Sequence, residues 1–313
     1  MKYSQVLKRR LAGILEEHAA IERGEDPQAF IPVGLREFDK RAGHRRKIMH
    51  LYGAATGEGK SLFKLHLMRE AAKRGYKVFV LDFEDPEETT ADRDFASATG
   101  INSAKIGAGS LTDKEISQIR IALKGMAWAD NITIVCGVKT GAEALELLNE
   151  QEADLVIVDY LSALPHGKAG REQAVSDFCW GLTKYAQDFN AAVVAFSQLK
   201  AEVTARGQRM YEMDKRNRQY KNDDGTQLPN IEGFRGFDNT DLAWCTDAGK
   251  TAKSLGFMFR PGRHYMRLDK KCKVADDRME FNWPKKNFGA EGMITVGLDL
   301  ASARLYDLPE KTK

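Results

Sequence analysis

The sequence lacks several features that would mark a specialised class of protein. No two cysteines form a CxxC pair, so no zinc or redox motif is visible. No apolar run approaches the roughly 18 residues needed to span a bilayer. The amphipathic N-terminus also has no apolar signal core. These absences favour a cytoplasmic protein with reduced thiols, which are Cys136, Cys179, Cys245 and Cys272.

An excess of one charge sign is also missing. The 313 residues contain 48 Lys and Arg against 45 Asp and Glu, a net charge of +3. This balance does not indicate a nucleic-acid-binding protein as a whole, so any basic surface must be local. A composition that is 42% hydrophobic and 30% charged can bury a core and stay soluble. The length allows one large domain with appendages, or two small domains.

The most informative stretch is residues 52–62, which read YGAATGEGKSL. A strand-like run enters a loop of Gly and small residues, and a helical pattern follows from Leu62 to Arg74. This order predicts a phosphate-binding P-loop, in which backbone N–H groups and the helix N-terminus face an anion. Lys60 would reach the β- and γ-phosphates of ATP, and Ser61 would hold Mg²⁺. The predicted nucleotide-binding residues are Ala54, Ala55, Thr56, Gly57, Glu58, Gly59, Lys60, Ser61 and Leu62.

The P-loop has one irregular position. The first residue of the eight-residue motif is Ala54 instead of Gly, and Gly53 comes one place early. Ala fits there if the backbone angles are ordinary, so we retain the P-loop prediction over a Gly-rich turn before a surface helix.

A continuous apolar run, Leu155–Tyr160, contains an acid at its end. Such runs are typical of parallel strands buried on both faces. An acid at the carboxyl end of such a strand lies near the P-loop in an open α/β sheet. We therefore expect Asp159 to be the second anchor for Mg²⁺, although an acid here can also serve only as a helix cap or turn residue.

The remaining pattern alternates strands and helices. Strand-like runs at 78–82, 132–135 and 192–196 separate helical segments, and residues 255–306 are rich in strands. This order predicts an α/β fold with a mostly parallel central sheet flanked by helices. Residues 3–22 form an amphipathic helix before a linker at 23–27. The apolar stripe of that helix packs either on its own domain or on a neighbouring subunit.

The stretch from Lys200 to Thr240 is unusually polar. Its first part, up to Lys221, holds seven basic residues against three acidic ones, with Tyr211 and Tyr220 interleaved. Cations and aromatic rings in one segment suit a single-stranded nucleic acid, because phosphates meet the cations and bases stack on the rings. The alternative is a solvated surface insertion. Long loops inside a compact domain tend to be functional or disordered.

Several motifs in a shared order suggest a family. Over roughly residues 30–308 the chain resembles the RecA-like motor domain of the DnaB-type hexameric replicative helicases, in a compact phage- or plasmid-like form without the family's N-terminal domain. The pieces that carry the resemblance are IPVGLREFD (31–39), the P-loop, VLDFED (80–85), LVIVDYL (155–161), GREQAVSDFCWGLTKYA (170–186), VVAFSQL (193–199) and KKNFGAEG (285–292).

The resemblance implies a division of the chain and a set of partners. Residues 1–27 would be a linker and oligomerisation helix, and residues 28–313 the RecA-like ATPase motor domain, with the basic insertion at about 200–240. The protein would be an ATP hydrolase and DNA helicase that uses ATP and Mg²⁺. Its expected partners are single-stranded DNA, its own copies in a ring, as in hexamers, and a primase or helicase loader. It would work in the cytoplasm of a bacterium or a phage-infected host.

The resemblance also assigns roles to individual residues. Glu84 matches the catalytic glutamate that activates the attacking water, and Asp159 matches the Walker B aspartate. Gln198 matches the polar residue that senses the γ-phosphate and signals to the DNA loops. The family's DNA-binding loops correspond here to two segments whose basic residues are Lys168, Arg171, Lys200, Arg206 and Arg209.

The family's trans-acting finger is only partly matched. Lys285 fits the lysine of a Lys-x-Arg-x-Gly hairpin that enters the next subunit's ATP site. Asn287 occupies the arginine position and carries no charge. Lys286 and Arg263 are the candidate substitutes. Loss of a trans-acting cation costs about 10³–10⁵ in hydrolysis rate, which would weaken the coupling between subunits.

Two other function classes compete with this prediction. One is a RecA-like recombinase, or an ATPase that switches on DNA without translocating. The other is a P-loop small-molecule kinase or a purely structural nucleotide-binding protein. A kinase needs an acceptor pocket and an arginine lid from its own chain, whereas it has no need of a basic segment for single strands.

Overall fold

A computed structural model describes residues 2–26, 29–41, 43–166, 170–214, 229, 231–235, 239–268, 274–287 and 291–309. Within these residues the helices are α1 (Tyr3–Glu22), α2 (Arg36–Asp39), α3 (Lys60–Lys73), α4 (Glu87–Thr99), α5 (Ser103–Gly107), α6 (Asp113–Lys124), α7 (Gly141–Asn149), α8 (Arg171–Asp188), α9 (Ala201–Asp214), α10 (Thr246–Thr251) and α11 (Pro261–Leu268). None of these described helices is both long and apolar enough to cross a membrane.

The strands of the same residues form a large sheet and a small one. They are β1 (Phe30–Ile31), β2 (His44–Arg45), β3 (Met49–Ala54), β4 (Val78–Asp82), β5 (Ile132–Cys136), β6 (Leu155–Asp159), β7 (Ala192–Gln198), β8 (Ser254–Phe259), β9 (Arg278–Lys286), β10 (Gly292–Asp299) and β11 (Arg304–Tyr306). The nine-stranded sheet has the order β11-β10-β9-β8-β3-β7-β6-β4-β5.

The sheet is parallel from β8 to β5 and antiparallel at its other end. Strands β8, β3, β7, β6, β4 and β5 pair in parallel, while β9, β10 and β11 extend the sheet in antiparallel pairs. Every residue of β3, β4 and β6 is buried. Helix α3 covers one face, and α7, α8 and α10 cover the other. The predicted α/β fold with a mostly parallel central sheet is therefore confirmed.

Helix α1 exists where the sequence predicts it, but the described chain does not cover its apolar stripe. Ala20 is its one buried residue. Leu7, Leu11 and Ile14 are 53%, 58% and 44% exposed. Packing of this stripe on its own domain is therefore wrong for the described residues, and docking on another subunit stays a prediction.

The polar stretch after Lys200 is not a loop throughout. Residues 201–214 form α9, so the expectation of a long basic loop is wrong over this range. Val203 is buried, and Phe234 lies so close to Gly207 that a Cβ there would overlap its ring. These two positions, four residues apart, give α9 a narrow packing face that the polar composition obscured. The expected basic residues between 215 and 221 lie outside the described residues.

An aromatic cluster joins the antiparallel extension to the rest of the sheet. Phe281 of β9 is fully buried, with ring centroids 4.7 Å from Phe63 of α3 and 4.8 Å from Phe38 of α2. Such contacts hold β9 against the helix that follows the P-loop.

We expect Phe281→Ala to lower the free energy of unfolding by about 3–5 kcal/mol, because it leaves a cavity in this cluster. Leu300→Ala, at a side chain that is 47% exposed, should change it by at most about 0.5 kcal/mol. Urea unfolding followed by circular dichroism measures both. Equal effects of the two substitutions would contradict the importance of the cluster.

Candidate nucleotide site

The P-loop connects the central strand β3 to α3. Gly59 precedes the helix, and Lys60 is its first residue. Gly57 and Gly59 have φ angles of +80° and +95°, which side chains other than hydrogen rarely permit. A Cβ on Gly59 would also overlap the side chain of Met279. The loop therefore has the backbone of an anion-binding turn that opens onto a helix N-terminus.

The irregular start of the motif has a packing explanation. Ala54 is the last residue of β3 and pairs with Gln198 of β7, so this position has extended strand backbone that Ala readily adopts. Gly53 is required for another reason, because a Cβ there would lie 2.7 Å from Phe257 and 2.8 Å from Leu242. The early glycine thus permits close packing of strands and does not belong to the phosphate turn.

Lys60 faces a group of acids. It is 8% exposed, and its ammonium lies 5.5 Å from the ring centroid of Tyr160. Burial lowers its pKa, while the charges of Asp159, Glu84 and Glu58 act in the opposite direction. Ser61 is half-buried at the first turn of α3. Leu62 points into the core, so only its backbone can serve a nucleotide.

Two acids end neighbouring strands beside the P-loop. Asp82 of β4 and Asp159 of β6 are paired in register, and both are buried. The Oδ1 atom of Asp82 accepts hydrogen bonds from the backbone N–H groups of Glu84, at 3.1 Å, and Asp85, at 2.9 Å. Asp82 thereby shapes the turn that carries Glu84, a residue that sequence analysis singled out without this support.

Glu84 lies at the same edge of the sheet and interacts electrostatically with Asp159 and Lys60. Burial raises its pKa, and Asp159 adds to this effect, whereas Lys60 lowers it. The pKa of Asp159 is also raised, mainly by burial, although the charge of Lys64 acts in the opposite direction. The structure thus brings together Lys60, Glu84 and Asp159, as the sequence predicts.

Lys64 was missed by sequence reasoning. It lies one helical turn after Lys60 and is completely buried, with its Nζ atom 2.8 Å from Oδ2 of Asp159 and in contact with Asp82. Burial opposes its charge, but Asp159 and Asp82 together raise its pKa. The sequence did contain a signal for this buried charge, because Lys64 lies within the largely apolar helical segment Leu62–Leu67.

A second set of contacts, which the sequence did not predict, holds the P-loop from the side of α11. The buried carboxylate of Glu58 accepts a hydrogen bond from the backbone N–H of Arg260 at 2.6 Å, and its other oxygen lies 2.6 Å from Nε2 of His264. The carbonyl oxygen of Gly57 accepts bonds from Arg260 at 2.7 Å and from Arg263 at 2.6 Å. Arg263 therefore contacts the P-loop of its own chain.

The chemistry of the site fits Mg²⁺. A hydroxyl on Ser61 and a carboxylate on Asp159 are the oxygen ligands that this ion prefers. The Oδ1 atom of Asp159 is buried and has no hydrogen-bond partner within the described residues. Such an oxygen is available to an ion or its water.

Gln198 reaches the same edge of the sheet from β7. Its backbone N–H donates to the Oγ of Ser162 at 3.4 Å, and its carbonyl oxygen accepts from the N–H of Ala243 at 2.8 Å. It thus connects the strand beside the P-loop to the segment near residue 243.

Lys285 lies away from its own P-loop. It pairs with Leu255 near the start of β8, whereas the P-loop follows the far end of the parallel β3. Its ammonium donates to the carbonyl oxygens of Gly249, at 3.2 Å, and Lys250, at 3.1 Å. Burial lowers its pKa, with a further effect from Lys253. The structure does not bring Lys285 to the nucleotide site of its own chain.

The predicted DNA contacts are spread over several elements. Lys168 lies outside the described residues. Arg171 begins α8, with its guanidinium 5.6 Å from the ring centroid of Trp244. Lys200 is half-buried before α9, and Arg209 is exposed on α9. Arg206 instead pairs with Asp241 at 3.1 Å, so its charge also serves to hold α9.

The comparisons with known proteins support a family assignment. The model of the DnaB-like helicase C terminal domain matches residues 31–215, which is more than half of the chain. The chain belongs to this family. The DnaB-like match includes the P-loop, Glu84, Asp159 and α9.

Similar proteins include replicative helicases. The replicative DNA helicase DnaC of Bacillus subtilis is 25% identical over 185 residues, which are 56% of this chain and 41% of the relative. The replicative DNA helicase DnaB of a Nostoc species is 27% identical over 184 residues, or 56% of this chain and 21% of the relative. The chain therefore spans about two fifths, or less, of the length of these relatives.

Solved structures share the fold over nearly the whole chain. One solved structure, of an ATPase domain, has a TM-score of 0.75 at 20% identity, with 97% of this chain and 99% of that chain covered. A DnaB-like replicative helicase, described with its interactions with primase, has a TM-score of 0.70 at 19% identity, with 95% and 66% covered. These likenesses confirm the RecA-like fold.

We expect Glu58→Ala to weaken nucleotide binding by about tenfold, or about 1.4 kcal/mol, because the P-loop loses its attachment to α11. The free energy of unfolding should fall by about 1–3 kcal/mol, since buried donors are left unpaired. Glu58→Gln keeps an acceptor oxygen and should lose less of both. Calorimetric titration and urea unfolding provide the two measurements, and identical behaviour of Ala and Gln variants would contradict the attachment.

Proposed function

We propose that the chain is an ATP-dependent replicative DNA helicase, a ring-forming motor that moves on single-stranded DNA and unwinds duplex. The observation that carries the proposal is the convergence of the P-loop, Asp159 and Glu84 at one edge of the sheet, in a chain of the DnaB-like family.

The site supports ATP hydrolysis by positioning and charge. The backbone N–H groups of the P-loop and the ammonium of Lys60 hold the phosphates, and Ser61 and Asp159 hold Mg²⁺. The ion supplies positive charge that neutralises the β- and γ-phosphates. Glu84 orients and deprotonates the attacking water, and its raised pKa favours acceptance of a proton. Gln198, on the neighbouring strand, detects whether the γ-phosphate is present.

Two features of the single copy support a ring. The apolar stripe of α1 is exposed, and exposed apolar surface of this kind marks interaction sites. Lys285 is on the hairpin of β9 and β10, away from its own P-loop. We propose that residues 1–27 dock on a neighbouring copy, that residues 28–313 form the motor, and that Lys285 completes the neighbour's ATP site, with six copies in the ring.

The third component is the DNA. The described candidates for phosphate contact are Arg171, Lys200, Arg206 and Arg209, and Lys168 belongs with them by sequence. Gln198 is followed after two residues by α9. A movement of Gln198 on loss of the γ-phosphate can therefore shift the DNA contacts on α9. Phosphate contacts of this kind are salt-dependent and largely indifferent to base sequence. A primase or helicase loader is the expected further partner, and the bacterial or phage-infected host cytoplasm the expected location.

We expect Lys60→Ala to abolish ATP binding and hydrolysis, because the phosphates lose their main cation. Glu84→Gln should keep ATP binding while turnover falls by about 10²–10⁴-fold, the usual contribution of a general base. Phosphate release and binding of a fluorescent ATP analogue separate the two effects. Normal turnover by Glu84→Gln would reject the role of Glu84.

We expect Arg209→Ala to weaken binding of single-stranded DNA and to reduce its salt dependence, with a slope change of about 0.7 for each lost phosphate contact. Arg206→Ala should also weaken binding, but with a loss of thermal stability, because its ion pair with Asp241 is removed. Fluorescence anisotropy at several salt concentrations measures the affinities. Lys124→Ala, an exposed lysine at the end of α6, is the matched control, and unchanged affinity in Arg209→Ala would remove α9 from the DNA surface.

The whole proposal is tested by ATPase and strand-displacement assays. Stimulation of hydrolysis by single-stranded DNA, together with displacement of a paired strand, is the expected result. Stimulation without displacement would favour a recombinase-like ATPase that does not unwind. Hydrolysis or phosphoryl transfer that is indifferent to DNA would favour a small-molecule kinase or another nucleotide-binding protein.

A further inference from the structure

Lys64 and Asp82 form a buried ion pair whose charges have no part in the hydrolysis chemistry described above. The side chain of Lys64 is completely buried, and those of Asp82 and Asp159 are 1% exposed. The ammonium of Lys64 contacts Oδ2 of Asp82 and lies 2.8 Å from Oδ2 of Asp159. One cation is therefore shared by two carboxylates, and the three groups together carry one formal negative charge.

The two carboxylates differ in what else they contact. Asp82 also accepts hydrogen bonds from the N–H groups of Glu84 and Asp85 through Oδ1, so both of its oxygens are engaged. The Oδ1 of Asp159 has neither an ion pair nor a hydrogen bond within the described part of the chain. The negative charge that Lys64 does not balance is thus directed to Asp159, whose charge also acts on Lys60 of the P-loop.

The balance depends on Asp82. If Lys64 had Asp159 as its sole counter-charge, the pair would be neutral and would attract a divalent cation weakly. At separations of a few ångströms in a buried site, one unit of charge changes ion affinity strongly. Asp82 shares the ammonium and so leaves Asp159 negative.

We propose that Asp82 is a positioning residue for metal binding, which neutralises Lys64 so that Asp159 presents its charge to Mg²⁺. This inference rests on the proposed function, because Asp159 holds Mg²⁺ only if the P-loop binds ATP with the ion. In this inference, Lys64 and Asp82 together set the Mg²⁺ concentration that the site requires.

The test measures Mg²⁺ dependence of binding, without turnover. The full chain binds a non-hydrolysable ATP analogue while Mg²⁺ is titrated, and a parallel sample contains EDTA. We expect Asp82→Asn, which keeps the Oδ1 acceptor, to raise the half-saturating Mg²⁺ concentration about tenfold without weakening metal-free binding. The double substitution Lys64→Met and Asp82→Asn removes both charges and should return this concentration to within about twofold of the parent's.

Asp94→Asn provides the matched control. Asp94 is a largely buried acid 3.5 Å from Arg69, a cation farther along α3, so its substitution also removes a carboxylate that pairs with this helix. Asp94→Asn should leave the Mg²⁺ requirement unchanged. If loss of any buried carboxylate beside α3 were enough to disturb the site, Asp94→Asn would behave like Asp82→Asn.

Two results would overturn the inference. One is a parental Mg²⁺ requirement in Asp82→Asn, and the other is a double variant as impaired as the single one. If Asp82→Asn does not fold, the double variant decides alone, since a tenfold higher requirement there would exclude charge balance. A parent whose analogue binding is insensitive to Mg²⁺ would instead contradict the proposed function itself.

Discussion

The anion-binding turn between β3 and α3 is the constraint on which the rest of the structure depends. The chain must pass from a strand buried at the centre of the sheet into a helix, with Gly57 and Gly59 in the left-handed region. Parallel strands on the same side of β3 then place their carboxyl ends at the same edge. Because of this geometry, Asp82, Asp159 and Gln198 lie at the edge of the sheet that carries the loop, although they are far apart in sequence.

The parts of the fold and site that follow local rules could be predicted from the sequence. Glycines, a lysine and a serine between a strand and a helix identify the P-loop without knowledge of distant contacts. The apolar run before Asp159 identifies a buried parallel strand, and position at its carboxyl end identifies the acid. The assignment of Glu84 needed the family resemblance, and the structure adds the physical reason in the two backbone hydrogen bonds to Asp82.

The remaining features depend on contacts that no local pattern encodes. Glu58 looks like an ordinary loop residue until Arg260, 202 positions later, is seen to donate to it. Lys64 interrupts an apolar helix face, but only the pairing of β4 with β6 supplies its two counter-charges. Helix α9 could not be recognised from the sequence because its packing face is narrow and is formed by Val203 and Gly207. In each case the missing information was a tertiary partner.

The central claim is that nucleotide at this edge of the sheet is coupled to a DNA strand held by an assembly of copies. Mass photometry of the full chain with a non-hydrolysable ATP analogue, Mg²⁺ and a single-stranded oligonucleotide tests it most directly. The account predicts a closed particle of about six copies bearing DNA, which forms poorly when the analogue is omitted. A monomer under every condition, with analogue affinity unchanged by the oligonucleotide, would contradict it.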